Sequence, residues 1–266
     1  MFRGLVAAAV CVFMAPALAQ SAPPSPEVLK DLAPTGKVRA SFNAGNAILT
    51  QRDPATGEPK GVTADLAREL ARRLGVPVEF VISDSAGKAF AGGKNGAWDV
   101  GFLAITPMRA AALEFTAPYV IIAGGYMVPD TSPLRTASDV DRPGIRVAVS
   151  GGSGYDQFLT RLLKNATLVR GKGGGGLESI EMFLHDKIDV VAGLRPVLAD
   201  YAKDHAGLRV LDGQFMDIQQ AMVAPKGRAA GSAYLKAFVE DVKASGFVAE
   251  SLKRSGQTVQ VAPPAH

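Results

Sequence analysis

From Val38 to Leu211 the chain switches repeatedly between short apolar runs and stretches with apolar residues at helical spacing. This alternation restricts the fold more than any other feature. Strand, helix and strand in succession pack well as a parallel sheet with helices on both faces. A first set reads as strand Val38–Phe42, helix Thr63–Leu74, strand Val78–Ile82 and strand Asp99–Ala104. In the helix, Leu66, Ala67, Leu70, Ala71 and Leu74 share one face, Asp65 sits in the first turn, and Arg72, Arg73 and Gly75 close it. A second set reads as strand Arg146–Val149, helix Tyr155–Leu163, strand Thr167–Arg170, helix Leu177–Lys187, strand Ile188–Ala192, helix Pro196–Asp204 and strand Leu208–Leu211. Gln219–Ala224 adds a strand, and two closing helices run from about Gly231 to Lys253. Two sets of similar scale in 266 residues imply two α/β lobes, each a mainly parallel sheet flanked by helices.

The ends read differently. Met1-Phe2-Arg3, an apolar stretch from Leu5 to Ala15 and the triplet Ala17-Leu18-Ala19 make a cleavable secretory signal peptide at 1–19. A Pro- and Ser-rich spacer follows at 20–35, and 257–266 reads as a flexible tail. Cys11, the single cysteine, lies inside the signal, so the mature chain is expected to hold no disulfide and no thiolate site. No later apolar stretch is long enough to cross a bilayer. The net charge of +4 is spread along the chain, which argues against a nucleic-acid surface. The histidines stand at 185, 205 and 266, none at ligand spacing, so no metal and no cofactor are expected.

Ligands of open α/β sheets bind beyond the carboxyl ends of the strands. Asn43, Arg109 and Ser153 all fall just past such ends. Arg109 follows Thr106-Pro107 at the opening of a helix, where the macrodipole disfavours a cation. It is well placed to meet an anion; the competing reading pairs it with a nearby acid such as Glu114. Ser153 and Gly154 open another helix, whose amides form an anion site, and Ser153 is also an N-cap. The run Gly173–Gly176 lacks the Lys-Ser ending of a phosphate loop and reads as a flexible turn.

Four segments, in order, carry a family resemblance: "GEPKGVTADLARELARRLGVPVEFV", "GAWDVGFLAITPMRAAALEFTAPYV", "ASDVDRPGIRVAVSGGSGYDQFL" and "HDKIDVVAG". Together they resemble the extracellular solute-binding proteins of family 3, the periplasmic receptors of polar amino-acid importers. The resemblance implies a type II periplasmic-binding fold. Lobe 1 would span 36–125 plus 219–256 and lobe 2 would span 126–218, joined by crossover strands near Gly125–Val128 and Gln219–Val223. It implies a periplasmic monomer that closes over one small carboxylate-bearing ligand and docks transiently on a membrane-embedded ABC permease. By the same resemblance Arg109 holds the ligand carboxylate, with Ser153 and Gly154 beside it. Asn43, Asn46, Phe102, Ala104, Leu194 and Arg195 fall at the remaining ligand-facing positions.

Three positions depart from the family pattern. Ala104 stands where a hydroxyl residue is common, Asn46 where an aromatic is common, and Leu194 where an Asp usually holds the ligand's ammonium. An ammonium buried without a counter-charge is costly. The ligand is therefore a carboxylate without an α-amine, or one whose amine meets neutral oxygens of Asn43 and Asn46. Arg195 is either a second cation for a dicarboxylate or a solvated surface charge. Two other functions compete. One is a cyclohexadienyl- or arogenate-dehydratase-like enzyme on the same fold, which needs a general acid in the cleft. The other is a sensing module for a membrane receptor. No Asp or Glu occupies the expected cleft positions, which favours binding over catalysis.

Overall fold

The computed structural model describes residues 23–265; the expected signal peptide at 1–19 lies outside them. The first half contains α1 (Pro26–Leu32), β1 (Val38–Asn43), β2 (Gln51–Arg52), β3 (Pro59–Lys60), α2 (Val62–Leu74), β4 (Val78–Ser83), α3 (Ala86–Lys94), β5 (Gly101–Ala104), α4 (Pro107–Ala112) and β6 (Leu113–Pro129). The second contains β7 (Arg146–Val149), α5 (Gly154–Leu162), β8 (Thr167–Arg170), α6 (Gly175–His185), β9 (Val190–Leu194), α7 (Arg195–Asp204) and β10 (Leu208–Val210). The chain closes with β11 (Met216–Pro225), α8 (Ala229–Ala244), α9 (Phe247–Arg254) and β12 (Gln260–Val261).

The long strand β6 is the spine of both lobes. Its residues 113–124 pair antiparallel with β11, and its far end turns to β9 and β10. One sheet thus runs β5-β11-β6-β9-β7-β8. Pairing is parallel between β1 and β4, β7 and β8, and β7 and β9, as expected from βα alternation. The antiparallel members are the two crossing strands, which make the sheet mixed. The β1–β4 pair joins β5's side through the Ala40–Val100 bridge.

Two expectations about the ends are corrected. Within the supposed spacer, Pro26–Leu32 forms α1, capped by Ser25 and tied down where Asp31 accepts from the Gly231 amide (2.9 Å) and Leu32 is fully buried. The supposed tail contributes β12, which adds to β6 opposite Val120 and Ile121, and Ala262 is buried beyond it. Both segments are short, so periodicity had too few residues to reveal them; their order comes from the partners they cover.

The glycine-rich α3 was also invisible to propensity, and its packing explains why it is helical. Trp98 is buried and its Nε1 donates to the Ala89 carbonyl at 2.8 Å. A Cβ on Gly93 would lie 2.1 Å from Trp98 Cζ2, and one on Gly101 2.6 Å from Cη2. The helix gives up intrinsic propensity so that the indole fits beneath it.

At the start of this lobe's core Asp99 is wholly buried between two arginines. Arg39 reaches it through Nε (2.9 Å) and Nη2 (2.8 Å), and Arg228 through Nη1 (3.0 Å). The triad ties β1 and the approach to β5 to the start of α8. Removing one member of a buried pair leaves an uncompensated charge. We expect Asp99→Ala to lose about 3 kcal/mol or more in urea unfolding; a loss below about 1 kcal/mol would mean that water compensates the arginines.

Candidate functional site

A cavity of about 430 Å³ opens between the lobes at the carboxyl ends of β1, β5 and β9. That volume lies within the range of small-molecule sites. Its wall includes Asn43, Asn46, Phe102, Ala104, Arg109, Ser153, Gly154 and Leu194, so eight of the nine residues singled out in the sequence meet around one space. Arg195 is the exception and does not line it. Its stem lies over Gly125 and its Nε donates to the Gly213 carbonyl at 3.3 Å. Leu194 ends β9 and Arg195 begins α7, so the two consecutive side chains leave the backbone in different directions.

Arg109 is placed by its own helix cap. Thr106 Oγ1 accepts from the Arg109 amide at 3.2 Å, and Pro107 fixes the first turn of α4. The side chain is fully buried. Nη1 donates to the Ala104 carbonyl (3.0 Å), and Nη2 crosses the cleft to the Gly152 carbonyl (2.9 Å). Nε is buried without a partner. Among the described residues no carboxylate, Glu114 included, lies within ion-pair distance. Burial alone lowers the guanidinium from 12.5 to about 10. It remains charged at neutral pH, at a penalty of roughly 3 kcal/mol. The full penalty applies below pH 10, where the group is charged both folded and unfolded, and is relieved as pH rises through about 10.

Opposite this cation, the buried Ser153 caps α5, its Oγ accepting from the Asp156 amide at 2.9 Å. Asp156 in turn accepts from the Gly152 amide (2.9 Å) and from Arg170 Nε (2.9 Å), which fixes the turn. A Cβ on Gly154 would lie 2.8 Å from Ala104 Cβ and 3.9 Å from Arg109 Nη1. The helix amino end therefore faces the guanidinium closely, and both favour an anion between them.

The asparagines serve their own turns. Asn43 Oδ1 accepts from the Gly45 amide at 3.1 Å, and Asn46 Oδ1 accepts from the Leu49 amide at 3.3 Å. Glycines form the lips. A Cβ on Gly45 would lie 2.4 Å from the Asp84 carbonyl oxygen and 3.0 Å from Gly175 Cα, and one on Gly152 3.3 Å from Gly87 Cα. The run at 173–176 is thus a fitted edge rather than a loose turn. Glu178 holds it by accepting the Lys172, Gly173 and Gly174 amides at 2.8, 2.9 and 2.6 Å.

Several lining residues were not singled out in the sequence. Val197, Leu198 and Tyr201 follow Leu194 at helical spacing along α7, a pattern legible once Leu194 is placed. Ile218 and Gln220 project from β11, on the same face as Phe102 and Ala104 of β5, because Gln220 pairs with Ala104 and alternate residues share a face. Tyr155 contributes a buried phenol pushed up to about 12 by burial, partly offset by Ser150 and Ser153 beside it. Among the described residues no group of three or more acidic, histidine or cysteine side chains comes together as a metal site, and no helix is long and apolar enough to cross a membrane.

The family model for bacterial extracellular solute-binding proteins, family 3, matches residues 44–257. No curated protein matches the sequence. Solved structures with this architecture include an ancestral amino acid-binding protein, a precursor of cyclohexadienyl dehydratase (23% identity, TM-score 0.72, covering 85% of this chain and 98% of that one). A solute receptor for L-cysteine of Neisseria gonorrhoeae is similar at 22% identity and TM-score 0.73, covering 83% and 89%. A cysteine-binding protein from Campylobacter jejuni is similar at 18% identity and TM-score 0.74, covering 88% and 99%. These likenesses establish the shared type II periplasmic-binding fold. With the family match extending over most of its length, the chain belongs to the bacterial extracellular solute-binding proteins, family 3.

Proposed function

We propose that this protein is the periplasmic receptor of an ABC importer, capturing a small carboxylate-bearing solute between its lobes and delivering it as a closed monomer to a membrane permease. The observation that carries this reading is Arg109, a buried guanidinium with no carboxylate partner among the described residues, set against the amino end of α5. A planar fork of this kind fits a carboxylate bidentately. A bound carboxylate offsets a burial penalty that the protein alone leaves standing.

Binding rather than turnover fits the same cavity. The acid at its margin, Asp84, is solvent-exposed and ion-paired with Lys88 Nζ at 2.6 Å, a poor setting for a general acid. The dehydratase link of one structural neighbour belongs to that protein's lineage.

Four substitutions test the reading. Arg109→Lys should weaken carboxylate binding at least tenfold in calorimetry, since an ammonium cannot reproduce the fork, and Arg109→Ala should abolish it. Unchanged affinity in either variant rules out the clamp. Arg109→Met should leave the ligand-free protein as stable as the parent, or more stable by about 1 kcal/mol, because an unpaired buried charge has been removed. A loss above about 2 kcal/mol would instead make Arg109 a structural brace. Gly87→Leu should hold the lips apart, because a Cβ there meets only the Gly151 and Gly152 backbone across the cleft, weakening binding with little change in unfolding midpoint; a variant with full affinity would show that closure does not need that contact.

A further inference from the structure

The proposed receptor role leaves the ligand's chemistry open, and the cavity wall narrows it. Arg109 is the cation at its centre, and the amino end of α5 adds to the positive potential. Among the described residues no negative charge balances them inside: Asp84 lies exposed at the margin and is held by Lys88. The Asn43 and Asn46 oxygens each already accept one backbone amide, so an amine would meet only shared, neutral acceptors. Facing the clamp, Leu194, Val197, Leu198 and Tyr201 make an apolar stripe down α7, extended by Ile218 and Phe102.

One polar side chain interrupts this surface. Gln220 is 6% exposed, lines the cavity, and its amide makes no hydrogen bond to the described residues. Its backbone register sets it beside Ala104, whose carbonyl accepts from Arg109 Nη1 at 3.0 Å. Its nitrogen and oxygen have no partner among those residues and stay open to the cavity, so they are free to meet a ligand atom there. With no carboxylate beside them to offset an ammonium, a neutral oxygen is the partner with the lower desolvation cost.

We propose that the ligand is a monocarboxylate with a neutral oxygen at its 2-position and an apolar remainder: a 2-oxo or 2-hydroxy acid with a branched or aromatic tail. Arg109 and the α5 amides take the carboxylate, Gln220 the 2-oxygen, and the α7 stripe the tail. This inference rests on the receptor reading above, and its test separates the two.

The test is a calorimetric and thermal-shift panel on the mature protein, using 4-methyl-2-oxopentanoate, phenylpyruvate, 4-methylpentanoate, leucine, phenylalanine, lysine and 2-oxoglutarate. A ligand at a hundred times its Kd gives a readily measured rise in Tm. The expected order places at least one of the two 2-oxo acids first. For that acid's skeleton, affinity is at least tenfold above the matching amino acid, and lysine and the dianion bind weakly. For the aliphatic skeleton, removing the 2-oxygen should cost about fivefold, and Gln220→Met should erase that difference while retaining 4-methylpentanoate binding. Should the variant fail to fold, the comparison between 4-methyl-2-oxopentanoate and 4-methylpentanoate on the unaltered protein decides the point. Leucine or lysine binding as tightly as the oxo acids, with Arg109→Ala abolishing it, overturns this inference and leaves the receptor reading standing. Carboxylate binding that survives Arg109→Ala overturns both.

Discussion

The structure is organised around a charge that it does not neutralise. Arg109 is delivered into the cleft by the Thr106 cap and the Pro107 turn, and it rests against the ends of two elements from opposite lobes, the Ala104 carbonyl and the Gly152 carbonyl. Those acceptors satisfy only two of its five N–H donors. The roughly 3 kcal/mol implied by its lowered pKa is a large fraction of a typical folding stability. Arg39–Asp99–Arg228 uses arginine in the opposite way, with a buried carboxylate matched to two guanidinium groups. One constellation is complete in itself and braces the lobe; the other, in the proposed reading, is completed by the ligand's anion.

That incompleteness connects to how the lobes meet. Two strands, β6 and β11, carry the chain across, and the lips touch through the glycine pairs Gly45–Gly175 and Gly87–Gly152. Contacts of this kind bury little apolar surface, so closure receives little hydrophobic stabilisation from the lips themselves. A ligand can bias an equilibrium only by its differential interaction with the two states. In the proposed reading the differential is built in, because Arg109 on one lobe faces the amino end of α5 on the other, and an anion between them would touch both.

Much of this arrangement was legible in the chain. Most of the alternating βα units stood out by period, and Asn43, Arg109 and Ser153 were marked by position alone, but the 17-residue β6 was read only as a crossover near Gly125–Val128. What escaped had a physical reason. The α3 helix carries glycines that serve Trp98 rather than the backbone, and α1 and β12 are too short to show a period. Gln220 escaped for a different reason: with Gln219 beside it in the strand, nothing says which of the two faces the cleft until the Ala104 pairing fixes it. Arg195 illustrates the reverse error, since adjacency to Leu194 in sequence placed it near the ligand, whereas the strand-to-helix turn sends it to Gly125 and Gly213.

In the proposed site, the parts that hold the carboxylate are not the parts that choose among ligands. The proposed clamp is a strand-end carbonyl, a helix amino end and a capped arginine. Selection would fall to side chains on α7 and β11, where Leu194, Val197, Leu198 and Tyr201 offer area and Gln220 offers one neutral polar contact. Apolar walls discriminate weakly between tails of similar size, because each methylene contributes only about 0.8 kcal/mol. A buried polar group discriminates more sharply, because a ligand lacking its partner leaves it unsatisfied. On this argument the tail contributes most of the affinity, and the single amide of Gln220 contributes most of the selectivity.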